Sequence, residues 1–342
     1  MEIALEKPTI RRKDMSAVLQ TMADEQIGVG EHTKTFSELL KETLGIQGYS
    51  IAVRDYVYAL RLALLALQLP PDGVVGISAL SPLVYTHVLT SLGLQFHIFD
   101  IDSENGNVAL EKVTNFNGRL DALILYEPYG NCLTTAGWRD LPFPIIEDIS
   151  ESIGSCYEEI RSGSIGEVVI CSFEDSAVVS TAGGAAVLTA SSEIESRLIS
   201  LSALELPYVA LGDLNAALGI VQVGEMEKNI AKRGAIFNRY RLSLMKSKHA
   251  LFGINEIDYR TNGHAFVVTL DGKAQQAQKF CLKNGVNVAF AFENRVIKGS
   301  LERYDQYPQA IVAVNRSLRF PLYPFLSKEQ ISQVEKVLAH LP

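Results

Sequence analysis

The residues with chemical potential in this chain are carboxylates and hydroxyls that punctuate apolar runs. Ile145-Ile146-Glu147-Asp148 closes one short run with two acids, and Val168-Val169-Ile170-Cys171 leads into Ser172-Phe173. An aspartate at a strand end can serve a cofactor or simply cap the following turn. Further acids stand at Asp55, Glu127, Glu151, Glu174 and Asp175. An oxygen-only cluster of that kind suits Mg²⁺ or Ca²⁺, although solvated carboxylates are far commoner than metal sites. No lysine occurs between Glu151 and Ser200. The four cysteines, Cys132, Cys156, Cys171 and Cys281, show no Cys-x-x-Cys or Cys/His metal spacing. Cys156 and Cys171 sit in apolar surroundings, where buried, reduced thiols are the default.

The elements that must position these groups alternate in type. Strands are expected at 51–53, 74–78, 95–100, 122–126, 145–147, 168–171 and 185–189, with helices at 58–67, 82–92 and near Leu110. Such alternation implies a mostly parallel sheet covered on both faces. Asp55 is a good N-cap for the apolar helix that follows it. Earlier helices are expected at 15–22 and 33–44, the second ending at Gly45. After Thr189 come a helix at 193–204 and one long helix from Gly212 to about Lys246. The C-terminal part reads as strand 265–270, helix 273–282, strand 286–290 and a last helix 327–340. Ser327 and Gln330 form a capping box for that last helix. The resulting division is a large α/β domain over residues 1–245 and a small α+β domain over 246–342.

Composition narrows the function classes. The chain has 342 residues, 47% hydrophobic and 20% charged, which is close to a globular average. A net charge of −8, with no basic run longer than Arg11-Arg12-Lys13, argues against a nucleic-acid surface. No run of about 18 apolar residues suits a bilayer, and the N-terminus lacks a signal pattern. A cytoplasmic protein with no membrane partner is the expectation.

Several of these stretches together resemble the DegT/DnrJ/StrS sugar aminotransferases, pyridoxal-phosphate (PLP) enzymes of fold type I. Glu147-Asp148 matches the family's Glu-Asp-Ala-Ala-Gln, with Glu151 at the Gln position. Ser172-Phe173 followed by Gly183-Gly184 matches its Ser-Phe-x-x-x-Lys segment and Gly-rich turn. Gly212-Asp213-Leu214-Asn215-Ala216-Ala217-Leu218-Gly219 matches Ser-Asp-Leu-Gln-Ala-Ala-Leu-Gly, and Phe320-Pro321-Leu322-Tyr323 matches the family ending. The resemblance spans about residues 5 to 340. It implies fold type I, a seven-stranded type of sheet, a homodimer, and a place in amino-sugar or polysaccharide synthesis with a nucleotide-sugar ligand.

The same resemblance implies a degenerate cofactor site. The Schiff-base lysine falls on Ala177, which has no amine to form an aldimine or move a proton. The Ser-Gly-Thr phosphate cup is Asp55-Tyr56-Val57. The stretch carrying the partner-subunit Asn is Leu206-Pro207-Tyr208-Val209-Ala210. Pro82 or Tyr85 stands where an aromatic stacks on the cofactor ring. The vestigial site is therefore Asp55, Tyr56, Val57, Asp148, Glu151, Ser172, Ala177 and Tyr208, with no catalytic residue and no metal. A carboxylate ~6 Å from a phosphate would repel it by roughly 3 kcal/mol at a dielectric constant of ~20. A few such terms would cancel micromolar affinity, worth about 8 kcal/mol, so no cofactor is expected. The alternatives are an active aminotransferase or dehydratase with noncovalent PLP or its amine form PMP, and new chemistry by the acidic residues.

Overall fold

A computed structural model describes the whole chain except residues 1, 104, 257 and 300–304. Its centre is a seven-stranded sheet. In chain order the strands are β1 (Tyr49–Val53), β2 (Val74–Ser78), β3 (Gln95–Phe99), β4 (Ala122–Tyr126) and β5 (Ile145–Asp148). After a small ribbon, β6 (Cys156–Tyr157) and β7 (Ile160–Arg161), come β8 (Val168–Ser172) and β9 (Ala185–Thr189). Their order across the sheet is β1-β9-β8-β5-β4-β2-β3. Pairings from β8 through β3 are parallel, while β9 runs antiparallel to both neighbours. The sheet is thus mostly parallel, as the alternating pattern predicts.

Helices α1 (Arg12–Ala23), α2 (Glu31–Leu44), α3 (Tyr56–Ala66), α4 (Val84–Ser91) and α5 (Leu110–Thr114) belong to this half. α3 packs on β8 and β9 and buries Ala59, Leu60, Leu62, Ala63, Leu64 and Ala66. Each fully buried leucine in that set contributes roughly 1.5–3 kcal/mol relative to leaving it in water. At its N-terminus the Asp55 side chain accepts from the Tyr58 N–H at 2.8 Å. α2 ends on Gly45 in the left-handed conformation.

After α6 (Ser192–Ser202) and α7 (Leu206–Val209), the expected single long helix is two. α8 (Asp213–Gly224) and α9 (Met226–Leu244) are divided at Glu225, whose backbone is non-helical (φ −104, ψ 3). Gly224 weakens the helix there, and the Glu225 carboxylate is held by Arg11, Lys13 and Lys228. α8 then packs on α1 and α2, and α9 on the last helix, α12.

The C-terminal sheet comprises β10 (Ala250–Leu251), β12 (Phe266–Thr269), β14 (Ser317–Phe320) and β13 (Ala289–Phe290), in that spatial order. β11 (Tyr259–Arg260) instead joins β6 and β7. Helices α10 (Ala274–Lys283), α11 (Pro308–Arg316) and α12 (Lys328–Ala339) complete this half, and Ser327 and Gln330 form the capping box foreseen for α12. Among the described residues no helix is long and apolar enough to cross a membrane.

Two glycines set the approach of the halves to the sheet end. Gly184, at φ +105, lies where a Cβ would fall 2.7 Å from Leu211 and 3.0 Å from the Val53 carbonyl. Gly263, at φ +65, would put a Cβ 2.6 Å from that of Arg233. Only glycine meets both the conformation and the space at these positions.

Candidate functional site

Parallel pairing of β5 with β8 aligns Asp148 with Ile170, so that Asp148 and Ser172 emerge together at the C-terminal end of the sheet. A cavity of about 300 Å³ opens there. From the large sheet and its loops it is lined by Tyr56, Tyr126, Asp148, Glu151, Ser172 and Ala177. His264 and Arg319, from the C-terminal half, close the opposite wall.

Asp148 is fully buried and fully engaged. One carboxylate oxygen accepts from the Tyr56 hydroxyl at 2.5 Å and from the Tyr85 hydroxyl. The other accepts from the Ser150 hydroxyl at 2.6 Å and its N–H at 3.0 Å. Burial pushes the acid above its ordinary range while these four donors pull it back. Burial and the neighbouring Asp148 charge push the Tyr56 and Tyr85 phenols well up, so both stay protonated donors.

Beside it lies a paired charge cluster. Arg295 is 8% exposed and reaches Glu151 at 3.2 Å and the Tyr126 hydroxyl at 2.6 Å. Its guanidinium lies 5.1, 5.7 and 5.8 Å from the ring centres of Tyr126, Tyr129 and Phe292, a cation–π cage. Glu151 also accepts from the Tyr129 N–H at 2.9 Å. Burial works to raise the Glu151 carboxyl, but Arg295 and the nearby donors outweigh it and hold it at about 2. Burial likewise drives His264 down to about 4, against the opposing pull of Glu151, leaving a neutral imidazole at pH 7.

The expected site residues divide between the cavity and elsewhere. Tyr56, Asp148, Glu151, Ser172 and Ala177 line the cavity together. Asp55 caps α3, Val57 is exposed, and Tyr208 is 77% exposed on α7; none of the three lines the cavity. Pro82 lines the cavity, whereas Tyr85 lies behind Asp148. Glu127 belongs to a different environment. It is fully buried, with donors from the Ser152 hydroxyl and the Leu133 N–H, beside Glu147. Glu147 accepts three backbone N–H groups, from Gly163, Ile165 and Gly166, at 2.7–2.8 Å. Burial and the Glu147 charge drive the Glu127 carboxyl well above its ordinary range. Among the described residues no three His, Cys, Asp or Glu side chains form a group that could hold a metal ion.

Arg295, His264, Arg319 and Tyr126 were not singled out from the sequence. Arg319 did carry a signal, as a charged residue inside the apolar strand Ser317-Leu318-Arg319-Phe320.

An α/β fold built on a large, mostly parallel sheet matches the PLP-dependent aminotransferase structures. The chain belongs to the DegT/DnrJ/EryC1/StrS aminotransferase family, whose model matches residues 8–339. It is 23% identical over 366 residues to a dTDP-4-dehydro-2,3,6-trideoxy-D-glucose 4-aminotransferase of Saccharopolyspora spinosa, covering 97% of this chain and 94% of that one. It is 25% identical over 284 residues to a UDP-4-amino-4,6-dideoxy-N-acetyl-beta-L-altrosamine transaminase of Campylobacter jejuni, covering 76% and 74%. In structure it is similar to Spr1654 of Streptococcus pneumoniae, with a TM-score of 0.88 for both the PMP and the PLP form. Identity to the PMP form is 18%, with 99% of this chain and 97% of that chain covered.

These findings contradict the expectation that this chain takes no cofactor: its family and structural neighbours point to PLP-dependent aminotransferases. The family is one of aminotransferases, and a structural neighbour was solved with both PLP and PMP. The residues of this cavity do not match a covalently held PLP. No described residue lining it is a lysine, and Asp148 already receives four hydrogen bonds. The α3 N-terminus that follows β1 carries its own carboxylate cap, Asp55.

Proposed function

We propose that this chain is a nucleotide-sugar-binding member of the family that does not carry out lysine-based transamination, serving amino-sugar or polysaccharide synthesis as a binding or regulatory protein. The observation that carries the reading is the cavity over Asp148, which has Ala177 and no lysine among its described lining residues. Transamination needs an amine that exchanges with the substrate and carries its proton; an alanine methyl does neither. The nucleotide-sugar ligand is inferred from relatives whose names specify dTDP- and UDP-linked sugars. In this reading a large domain, residues 1–245, and a small one, 246–342, flank the ligand. Leu204, Tyr208 and Val57, exposed apolar side chains near the α3 and α7 ends, support a homodimer.

A second reading is favoured by kinship with a protein solved in its PMP form: an enzyme that uses noncovalent PMP. One experiment separates the two. The purified protein is titrated calorimetrically with a panel of dTDP-, UDP- and GDP-linked sugars, then incubated with glutamate, PLP and 4-keto sugar nucleotides. Micromolar binding of a nucleotide sugar without 2-oxoglutarate formation supports the first reading. Catalytic release of 2-oxoglutarate supports the second, and absence of any nucleotide-sugar binding overturns the first.

A further inference from the structure

The wall of the cavity facing Asp148 carries donors with no acceptor. Ser176, His264 and Arg319 line this cavity and also an adjoining cleft of only about 10 Å³, and so form the partition between the two. Arg319 is fixed from behind. Its backbone lies in β14, paired with Val267 of β12 and Ala289 of β13. One guanidinium nitrogen pairs with Glu6, while the Nε is buried and has no hydrogen-bond partner among the described residues. The His264 backbone N–H is held at 2.8 Å by Asn262, and its Nδ1 is likewise buried and unpartnered. Arg233 and Lys7 line the cleft behind, so positive groups outnumber the one carboxylate there, Glu6. Elsewhere in the lining, Glu151 is paired with Arg295, Asp148 has its lone pairs filled by neutral donors, and Glu174 is the one further carboxylate.

A buried donor without an acceptor costs free energy that a suitable ligand atom recovers. A guanidinium with a free edge is matched best by an oxyanion, which accepts charge-assisted hydrogen bonds. We propose that Ser176, His264 and Arg319 form an oxyanion subsite of this cavity, which receives a phosphate or carboxylate group of the bound ligand. In outline, the Arg319 guanidinium supplies charge, the neutral His264 imidazole a directional N–H, and the Ser176 hydroxyl a third donor. The subsite deepens the nucleotide-sugar reading and rests on it for the rest of the ligand, but free oxyanions test it independently.

The experiment is a calorimetric titration of the full chain with inorganic phosphate, UDP, 2-oxoglutarate and a UDP-sugar. Wild type is compared with Arg319→Met, Arg319→Lys, His264→Ala and Glu6→Gln. Arg319→Met should weaken oxyanion binding at least 10-fold and His264→Ala about 3- to 10-fold, with Arg319→Lys recovering part of the loss. Glu6→Gln keeps Arg319 and removes its competing carboxylate, so it should tighten oxyanion binding several-fold. A merely structural Arg319 would lose affinity in that variant or leave it unchanged. Phosphate and UDP responding more strongly than 2-oxoglutarate assigns a phosphate; the reverse assigns a carboxylate. UDP-sugar binding that ignores all four substitutions overturns the subsite while leaving the nucleotide-sugar reading intact. Phosphate binding that follows the substitutions, with no UDP-sugar bound, supports the subsite and overturns the reading. Failure of wild type to bind any oxyanion overturns the subsite.

Discussion

Replacing Glu151 by Gln tests the charge balance of the site most directly. The Glu151 carboxylate is the ion-pair partner of Arg295, which sits 8% exposed inside a cage of three aromatic rings. The Glu151 side chain is itself only 18% exposed, so solvent screens the pair little. Its carboxyl is held at about 2 against an ordinary 4.5. At about 1.4 kcal/mol per unit, that depression corresponds to about 3 kcal/mol of folded-state stabilisation. Breaking a buried pair from one side typically costs about 3–5 kcal/mol, because the remaining charge is stranded. The two routes agree. A depressed folded value means the stabilisation is fully present above the unfolded value of 4.5 and is lost as pH falls toward 2. At pH 3.5 about 1.4 kcal/mol of it should already be gone. Urea unfolding followed by the single tryptophan, Trp138, gives the free energy from midpoint and slope. Glu151→Gln should lose about 3 kcal/mol at pH 7, and its gap to wild type should narrow by about 1.4 kcal/mol at pH 3.5. A loss under about 1 kcal/mol at pH 7, or a gap that does not narrow in acid, refutes the reasoning.

The buried acid pair makes a second, opposite prediction. The Glu127 carboxyl is driven well up, so Glu127→Gln, which mimics the neutral acid, should cost under about 1 kcal/mol, whereas Glu147→Gln disturbs an acceptor of three backbone N–H groups and should cost about 1.5–3 kcal/mol; the same urea titration compares them. Gly263→Ala forces a Cβ against Arg233 at positive φ and should lower stability by about 1–3 kcal/mol, read as a drop in thermal midpoint. Tyr56→Phe removes one donor from Asp148 and should raise the carboxyl further; ¹³C NMR of labelled aspartate, titrated against pH, would show no change in the Asp148 signal if that contact is absent.

The framework of the site was legible where chemistry and periodicity coincide. Asp148 ends an apolar strand, and a strand-ending acid in an alternating pattern must emerge at one edge of a parallel sheet. Ala177 was picked out only by the family resemblance of the Ser172-Phe173 segment, and it does line the cavity. The hydroxyls on Asp148 were not legible, because Tyr56 and Tyr85 lie 92 and 63 residues away and reach it only through the crossing of α3 and α4 over the sheet. Arg295 is 144 residues from Glu151, in a stretch where the sequence pattern implies no element. The helix break at Glu225 combines the local weakness of Gly224 with contacts to Arg11 and Lys13, more than 200 residues distant, which no local window contains. Long-range partners decide the first two and contribute to the third.

The same long-range partners change the electrostatic argument about the cavity. From the sequence, five carboxylates gather around an anion site, each repelling a phosphate by roughly 3 kcal/mol at ~6 Å. In the structure Asp55 is spent on the Tyr58 N–H of α3, and Glu127, its carboxyl driven well up, lies in a buried pair outside the cavity lining. Glu151 is neutralised by Arg295. Of the five, only Glu174 still lines the cavity as an unpaired acid, and burial followed by the Asp175 charge raises it, so that it gives up its proton reluctantly. One such carboxylate cannot cancel the roughly 8 kcal/mol of a micromolar interaction, and Arg319 in the same lining opposes it. The cavity is therefore not an anion-excluding well. Its departure from a lysine-bearing site lies in hydrogen bonding, with two tyrosine hydroxyls already on Asp148, and in the methyl group of Ala177.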